Sequence, residues 1–182
     1  IPFYWDEAWS YAMAIFDMVE RGPTLIPGHA NEWLTRGHPL LYYFLASIWL
    51  KIFGTSVLSA HIFSFVISIF SVTVCFYVFK NFTNKTDLSL LIVLALIVQS
   101  IFLTQCTMLL PEIWLMALGI LTLFFYYKNK LLWFCIIGSL TVLTKETGIV
   151  FIIFVIFDKV FLKKIIYIDH YESNKEFLKD II

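Results

Sequence analysis

Long apolar runs separated by short polar segments fill residues 57–161 of the chain. The longer runs predict transmembrane helices at residues 57–79, 88–105 and 113–127, the last of them extended backward through Met108. Two further runs, residues 131–143 and 147–161, are each short for a bilayer crossing. They predict either spans in a thin or kinked arrangement or one broken helix pair around Thr144-Lys145-Glu146.

The N-terminal part is amphipathic rather than uniformly apolar. Residues 7–20 predict a helix with Asp6 as its N-cap and Gly22-Pro23 at its end. A polar loop over residues 22–37 follows. Residues 40–53 are apolar all round, but as a helix they reach only about 21 Å, which is short of the roughly 30 Å hydrocarbon core. They therefore predict an interfacial or re-entrant helix.

The composition is typical of a membrane protein. Of the 182 residues, 60% are hydrophobic and 19% are aromatic, whereas an ordinary soluble domain is about 45–50% apolar. The expected fold class is an all-α integral membrane protein, a multi-span helical bundle with extracytoplasmic interfacial helices. The formal net charge is zero and no basic cluster is long enough to hold nucleic acid, which excludes that partner. The three cysteines lie in apolar runs without metal-ligand spacing.

Lysines set the orientation of the predicted spans. They follow the first span, separate the third from the fourth and end the fifth, whereas the turn at residues 104–111 carries no Lys or Arg. Lysine-bearing turns are cytoplasmic by the positive-inside rule. We therefore expect an extracytoplasmic loop with interfacial helices at residues 1–56, transmembrane helices at residues 57–164 and a cytoplasmic charged segment at residues 165–182.

The chain begins without an initiator methionine or a signal sequence, and we interpret it as an internal or N-terminally trimmed fragment of a longer protein. We expect a multi-pass protein of a bacterial or archaeal plasma membrane rather than of the endoplasmic reticulum. Membrane lipids are its expected surroundings.

Ionisable residues from separate stretches fall on the predicted outer face, namely Asp6, Glu7, His38, Glu112 and Lys145. Charged groups in such an apolar protein indicate a functional site, because they are costly without a polar partner. Asp6 is either only a helix N-cap or also a carboxylate that accepts a proton from a hydroxyl. Glu7 is either a solvated first-turn acid or a second carboxylate that orients a ligand.

The other candidates also have two interpretations each. His38 is either a hydrogen-bonded interface histidine or a donor to a phosphate oxygen. Lys145 and Glu146 either neutralise each other, or Lys145 offsets the charge of a phosphate. Arg36 either pairs with a nearby acid or contacts a lipid phosphate. Glu112 lies at the outer end of an apolar stretch and requires a polar partner.

Several short motifs carry a resemblance to a known superfamily. In chain order they are Trp5-Asp6-Glu7-Ala8, Tyr11-Ala12, Gly37-His38-Pro39-Leu40-Leu41-Tyr42-Tyr43, Ile52-Phe53-Gly54, Pro111-Glu112 and Leu143-Thr144-Lys145. Together they resemble motifs of the GT-C membrane glycosyltransferases. The chain is similar to the dolichyl-phosphate-mannose protein mannosyltransferases and to the bacterial aminoarabinose transferase of lipid A within that superfamily.

The resemblance implies an enzyme that transfers a sugar from a polyprenyl-phosphate donor to a hydroxyl of a lipid, glycan or protein acceptor. The reaction would take place at the extracytoplasmic face, usually with inversion. Asp6 would be the catalytic carboxylate with Glu7 beside it, and the substrate-binding residues would be His38, Glu112, Lys145 and Arg36. Some relatives need a divalent cation, so one is possible, but a single acidic pair establishes neither a metal site nor any other cofactor.

Two departures from the superfamily pattern affect the phosphate site. Leu40 stands where members commonly have a second proline, and Trp9-Ser10 occupies the stretch where some members have an arginine. Phosphate neutralisation then depends more on His38, Lys145 or Arg36. The alternative functions are a transporter or flippase and a non-catalytic membrane subunit. The enzyme is favoured over a transporter because the charges gather at one face and the sequence shows no internal repeat.

Overall fold

The computed structural model describes residues 3–4, 7–29 and 31–159. Regular structure in these residues is helical throughout, which agrees with the predicted all-α class. The α-helices are α1 (Met13–Arg21), α2 (Glu32–Thr35), α3 (Leu41–Phe53), α4 (Val57–Thr83), α5 (Thr86–Ile97), α6 (Ser100–Gln105), α7 (Glu112–Tyr127), α8 (Leu131–Thr144) and α9 (Ile149–Phe157). The predicted N-cap Asp6 and the charged segment at residues 165–182 lie outside the described residues.

The predicted amphipathic helix at the N-terminus is present in two parts. A π-helical turn at Glu7–Ala12 leads directly into α1, which ends where Gly22 adopts a φ of 107°. Ile15 and Met18 are fully buried in the main core, where α1 packs on α3. The short helix α2 was missed within the predicted loop, because a single turn started by the Asn31 side chain has no hydrophobic period to detect.

Helix α4 is four residues longer than the prediction and packs on α5 and α7. Its buried face is rich in small residues, and the hydroxyls of Ser64, Ser68 and Ser71 each donate to the carbonyl four residues earlier. Small side chains with satisfied hydroxyls allow close approach between helices in an apolar setting. In the described part of the chain, α4 is also the one helix long and apolar enough to cross a membrane, so the number of further spans stays a prediction.

The predicted single helix over residues 88–105 is wrong in its continuity. Helix α5 ends at Ile97 and α6 begins at Ser100, because Gln99 between them is extended, with a φ of −65° and a ψ of 132°. No Gly or Pro lies at the break. Hydropathy depends on the side chains and not on the backbone angles. Two consecutive apolar helices therefore give the same hydropathy pattern as one continuous helix.

Helix α7 begins at Glu112, and its predicted backward extension through Met108 is wrong. Pro111 disfavours helical geometry in the residue before it. In addition, the Leu109 N–H donates to the Glu7 carboxyl rather than to a helix carbonyl. Both effects keep residues 109–111 out of the helix.

Helices α7, α8 and α9 form the C-terminal part of the described fold. Helices α8 and α9 are the broken pair around residues 144–146 that was one of the two predictions for this region. Lys145 is extended after α8, and a 3₁₀ turn at Glu146–Gly148 leads into α9. The hydroxyls of Thr122 and Thr141 lie 3.1 Å apart between α7 and α8. The ring of Phe151 on α9 occupies the space that a Cβ at Gly119 would need, so that glycine permits the α7–α9 contact.

Candidate functional site

Polar side chains from separate parts of the chain meet at one end of the α7–α8 pair. We call Tyr11, His38, Glu112, Lys145 and Glu146 the polar cluster. The Lys145 Nζ lies 2.7 Å from Glu112 Oε1, and the His38 Nδ1 lies 3.1 Å from Glu146 Oε2. The Tyr11 ring is stacked on the His38 ring, with centroids 6.1 Å apart and planes 9° from parallel.

Local structure explains how each member reaches this place. Glu112 occupies the first turn of α7, where the helix dipole favours an acid. Lys145 directly follows the last residue of α8, and its extended backbone turns the chain towards the 3₁₀ turn that carries Glu146. His38 precedes Pro39, which keeps the chain extended before α3 begins.

The charges in the polar cluster stabilise one another. Burial alone would lower the pKa of Lys145, but the hydrogen bond and the negative charge of Glu112 outweigh burial and raise the pKa above its usual value. Burial likewise opposes ionisation of Glu146, yet backbone and His38 hydrogen bonds hold its pKa below the usual value. Burial, with the Glu112 charge added, raises the pKa of Tyr11. At neutral pH the cluster therefore contains an ammonium group, an ionised Glu146 and a neutral phenol.

One oxygen of Glu112 remains available for a ligand. Its Oε1 accepts from Lys145, whereas Oε2 is buried and has no hydrogen-bond partner among the described residues. Buried polar atoms are normally satisfied, so an unpaired carboxylate oxygen in a charged cluster is a candidate acceptor for a substrate hydroxyl.

The predicted candidate Glu7 lies in a different environment from the polar cluster. Its side chain is completely buried, which makes the interpretation as a solvated first-turn acid wrong. Oε1 accepts from the Leu109 N–H at 2.7 Å and Oε2 accepts from the Tyr4 N–H at 3.2 Å. The Nε2 of His61 on α4 lies 3.1 Å from the same Oε1. Glu7 thus connects the N-terminal stretch, the segment before α7 and the start of α4.

The other two predicted candidates are Asp6 and Arg36. Asp6 lies outside the described residues, and Arg36 is not in the polar cluster. Arg36 is exposed, in a left-handed conformation with a φ of 51° that ends α2. Its backbone N–H donates to the Glu32 carbonyl, but its side chain forms no ion pair within the described residues, so the expected pair with a nearby acid is absent there.

Sequence reasoning missed two members of the polar cluster. Tyr11 was not predicted as a site residue, although a tyrosine in an amphipathic helix has a hydroxyl that needs a polar partner. Glu146 was interpreted as the partner of Lys145, but each pairs elsewhere, Lys145 with Glu112 and Glu146 with His38. The backbone changes from extended at Lys145 to a 3₁₀ turn at Glu146, so the two adjacent side chains separate, and the sequence pattern does not display that change.

A groove of about 460 Å³ opens beside the polar cluster. His38 lies at its edge, and its apolar wall includes Pro39, Leu40, Leu41 and Leu143. The groove therefore places a mainly apolar surface next to the charged residues. The described residues contain no group of three or more His, Cys, Asp or Glu side chains that could hold a metal ion.

Comparison with known proteins gives one informative match. Neither a curated protein nor a solved structure matches the chain. A family model described as dolichyl-phosphate-mannose-protein mannosyltransferase matches residues 37–170, a range that includes His38, Glu112 and Lys145 and begins after Glu7. The resemblance in the short motifs is thereby confirmed at the level of the family. Since the match covers more than half of the chain, the chain belongs to the dolichyl-phosphate-mannose-protein mannosyltransferase family.

Proposed function

We propose that this protein is an integral-membrane glycosyltransferase that moves a sugar from a polyprenyl-phosphate donor to a hydroxyl acceptor at the extracytoplasmic face. Membership in the family implies glycosyltransferase activity with polyprenyl-phosphate sugars as a class of donor. The observation that carries the finer proposal is the polar cluster, in which an ammonium group and an imidazole lie beside an apolar groove.

The leaving group of the proposed reaction is a lipid phosphate, and it needs positive charge and hydrogen-bond donors as its bond to the sugar breaks. Lys145 keeps its charge at neutral pH because Glu112 raises its pKa. One of its three N–H donors is used by Glu112, which leaves donors for a phosphate oxygen. His38 is partly exposed and its Nδ1 faces Glu146. When its ring is protonated, the Nε2 N–H supplies a further donor.

Asp6 is the proposed catalytic carboxylate. The acceptor oxygen attacks the anomeric carbon, the bond from that carbon to the phosphate oxygen breaks, and the acceptor proton passes to Asp6. The electron pair of the broken bond stays on the phosphate. We assign Glu7 to the support of this step rather than to proton transfer, because its carboxyl is buried and engaged by two backbone N–H groups.

Glu112 and the groove give the substrates further contacts. The free Oε2 of Glu112 is placed to accept a hydrogen bond from a sugar hydroxyl. The groove beside His38 suits the apolar start of a polyprenyl chain, because its wall is mostly proline and leucine. Arg36 is exposed in the loop before His38 and is proposed to contact phosphate from the solvent side.

The proposed orientation follows from the two ends of the α7–α8 pair. The polar cluster lies where α7 begins and α8 ends. The opposite ends of the same helices are joined by a turn that contains Lys128 and Lys130, which is cytoplasmic by the positive-inside rule. The polar cluster then belongs to the extracytoplasmic side.

Sugar release from a panel of polyprenyl-phosphate sugars, measured with the protein in membranes, tests the proposal. We expect turnover with at least one donor and its loss in Asp6→Asn. The matched control is Asp87→Asn, an exposed acid in the first turn of α5 that is remote in sequence from the cluster. Full turnover in Asp6→Asn at equal expression would show that Asp6 is not the catalytic carboxylate. Absence of turnover with every donor would favour a transporter or a non-catalytic subunit.

A further inference from the structure

A second groove lies at the far end of the helices that form the polar cluster. It has a volume of about 480 Å³ and is bounded by the end of α7, the start of α8 and the end of α9. Because Lys130 precedes α8 and Lys145 follows it, the length of α8 separates the two sites, which is about 20 Å at 1.5 Å per residue. This second groove therefore does not belong to the proposed transferase site.

The lining of the second groove combines an apolar wall with a cationic rim. Phe125, Leu131, Phe134 and Ile152 contribute to the wall, and Lys130 and Lys159 supply the rim. Both lysine residues are exposed. Lys128 lies in the same turn, with its Nζ 5.6 Å from the centre of the Phe124 ring.

Among the described residues, Asp158 is the acid near this groove, and it has a partner. The Tyr126 hydroxyl donates to the Asp158 Oδ2 at 2.6 Å. A neutral phenol, rather than a lysine, is therefore the hydrogen-bond partner of this carboxylate oxygen. Asp158 carries one negative charge, against two positive charges on Lys130 and Lys159, so the described residues at the rim have an excess of positive charge. In addition, the N-terminus of α8 next to Lys130 has no side-chain cap, so its first backbone N–H groups add a positive dipole end.

We propose that the second groove binds an anionic phospholipid of the cytoplasmic leaflet, with an acyl chain along the apolar wall and the phosphate headgroup at Lys130 and Lys159. Charge complementarity supports this occupant, because polybasic ends of membrane helices attract anionic headgroups. The proposal depends on the membrane orientation in the proposed function, but not on glycosyl transfer. Its ligand is part of the leaflet rather than a substrate.

Lipid retention measured by native mass spectrometry tests the proposal on the protein purified from membranes. The two added lipids are dioleoyl phosphatidylglycerol, which is anionic, and dioleoyl phosphatidylcholine, which has the same acyl chains without net charge. We expect preferential retention of the phosphatidylglycerol. In the double variant Lys130→Gln, Lys159→Gln its affinity should fall by about 25-fold, since one lysine near an anionic headgroup contributes about fivefold.

The double variant Lys80→Gln, Lys85→Gln is the matched control, because it removes the same charge from the last turn of α4 and the residue before α5. It should retain phosphatidylglycerol as the unsubstituted protein does. Equal loss in both double variants would overturn the site, since it would indicate attraction by net charge alone. Equal retention of both lipids, or no retention because another part of the protein fills the groove, would also overturn it.

Two further measurements keep the test independent of folding and of the transferase. The thermal midpoint of each variant without added lipid must match that of the unsubstituted protein, so that lost binding is not lost structure. The variant Asp6→Asn should retain phosphatidylglycerol fully. If inorganic phosphate displaces the lipid at equal concentration, the rim binds only an ion and the proposed lipid site is wrong.

Discussion

Replacement of the buried Glu7 carboxyl tests how the N-terminal stretch is attached to the helices. In Glu7→Ala the Leu109 N–H and the Tyr4 N–H both lose their acceptor, and the Nε2 of His61 loses its nearest carboxyl oxygen. In Glu7→Gln the amide oxygen can still accept from Leu109. The two variants therefore separate loss of the hydrogen bond from loss of charge.

The expected cost follows from the contacts that are removed. A hydrogen bond to a charged group contributes about 1.5–3 kcal/mol, and a buried donor left without an acceptor costs about 1–3 kcal/mol. Since the Leu109 contact is fully buried and the Tyr4 contact only partly, we expect Glu7→Ala to lower the free energy of unfolding by about 3–5 kcal/mol. Glu7→Gln should cost about 1–2 kcal/mol because it retains the buried hydrogen bond.

Thermal unfolding of the purified protein in detergent measures both variants. At roughly 2–4 °C per kcal/mol for a chain of this size, Glu7→Ala should lower the midpoint by roughly 6–20 °C. Glu20→Ala is the control, because Glu20 is an exposed acid at the end of the same helical stretch, where a surface substitution changes stability by about 0.5 kcal/mol or less.

Activity of the same variants addresses the role of Glu7 in catalysis. We expect Glu7→Gln to retain most of kcat, whereas Asp6→Asn loses it. If Glu7→Ala unfolds at the same temperature as Glu20→Ala, the supporting role derived from burial is refuted. If Glu7→Gln is as inactive as Asp6→Asn at unchanged stability, Glu7 takes part in the chemistry.

The remaining predictions concern charge, packing and topology. Lys145→Ala should raise the donor KM at least about tenfold. In the unsubstituted protein the KM should stay constant across the pH range in which an ordinary lysine keeps its charge and increase only above that range. Burial lowers the pKa of Lys145, but the hydrogen bond and charge of Glu112 outweigh burial and raise it, so the ammonium is lost only at higher pH. Gly119→Ala should lower the thermal midpoint, because its Cβ overlaps the Phe151 ring, and enlarging the site with Phe151→Leu should restore part of the loss. A cysteine at Lys85 in a cysteine-free background should resist an impermeant thiol reagent in intact cells, and labelling there would invert the proposed topology.

Helix positions followed from local features that the sequence displays directly. The amphipathic stretch at the N-terminus ends at Gly22, and α3 ends at Gly54, each with a positive φ that glycine adopts without strain. Helix α8 begins and ends within one residue of the predicted apolar run. These boundaries depend on the length of each apolar run and on the residue that ends the helix. Both are local features of the sequence.

The site was less predictable because its contacts join residues far apart in the chain. His38 and Glu146 are 108 positions apart, and Glu7 and Leu109 are 102 apart. The positive-inside rule could place several ionisable residues on one face, but it could not decide which of them pair. Burial of Glu7 in particular depends on the backbone of residue 109, and a backbone N–H has no signature in the sequence.

The short segment from Leu109 to Glu112 is the reason why we expect a buried acid outside the polar cluster to affect the proposed catalysis. The N–H of Leu109, its first residue, donates to the Glu7 carboxyl, and Pro111 prevents a helix over the segment. Its last residue, Glu112, begins α7 and accepts a hydrogen bond from Lys145. A change at Glu7 therefore reaches Lys145 through four consecutive residues. The same contacts therefore support the position of Lys145 in the proposed phosphate site. Misplacement by about 1 Å can cost on the order of 100-fold in rate, so support of this kind matters even without substrate contact.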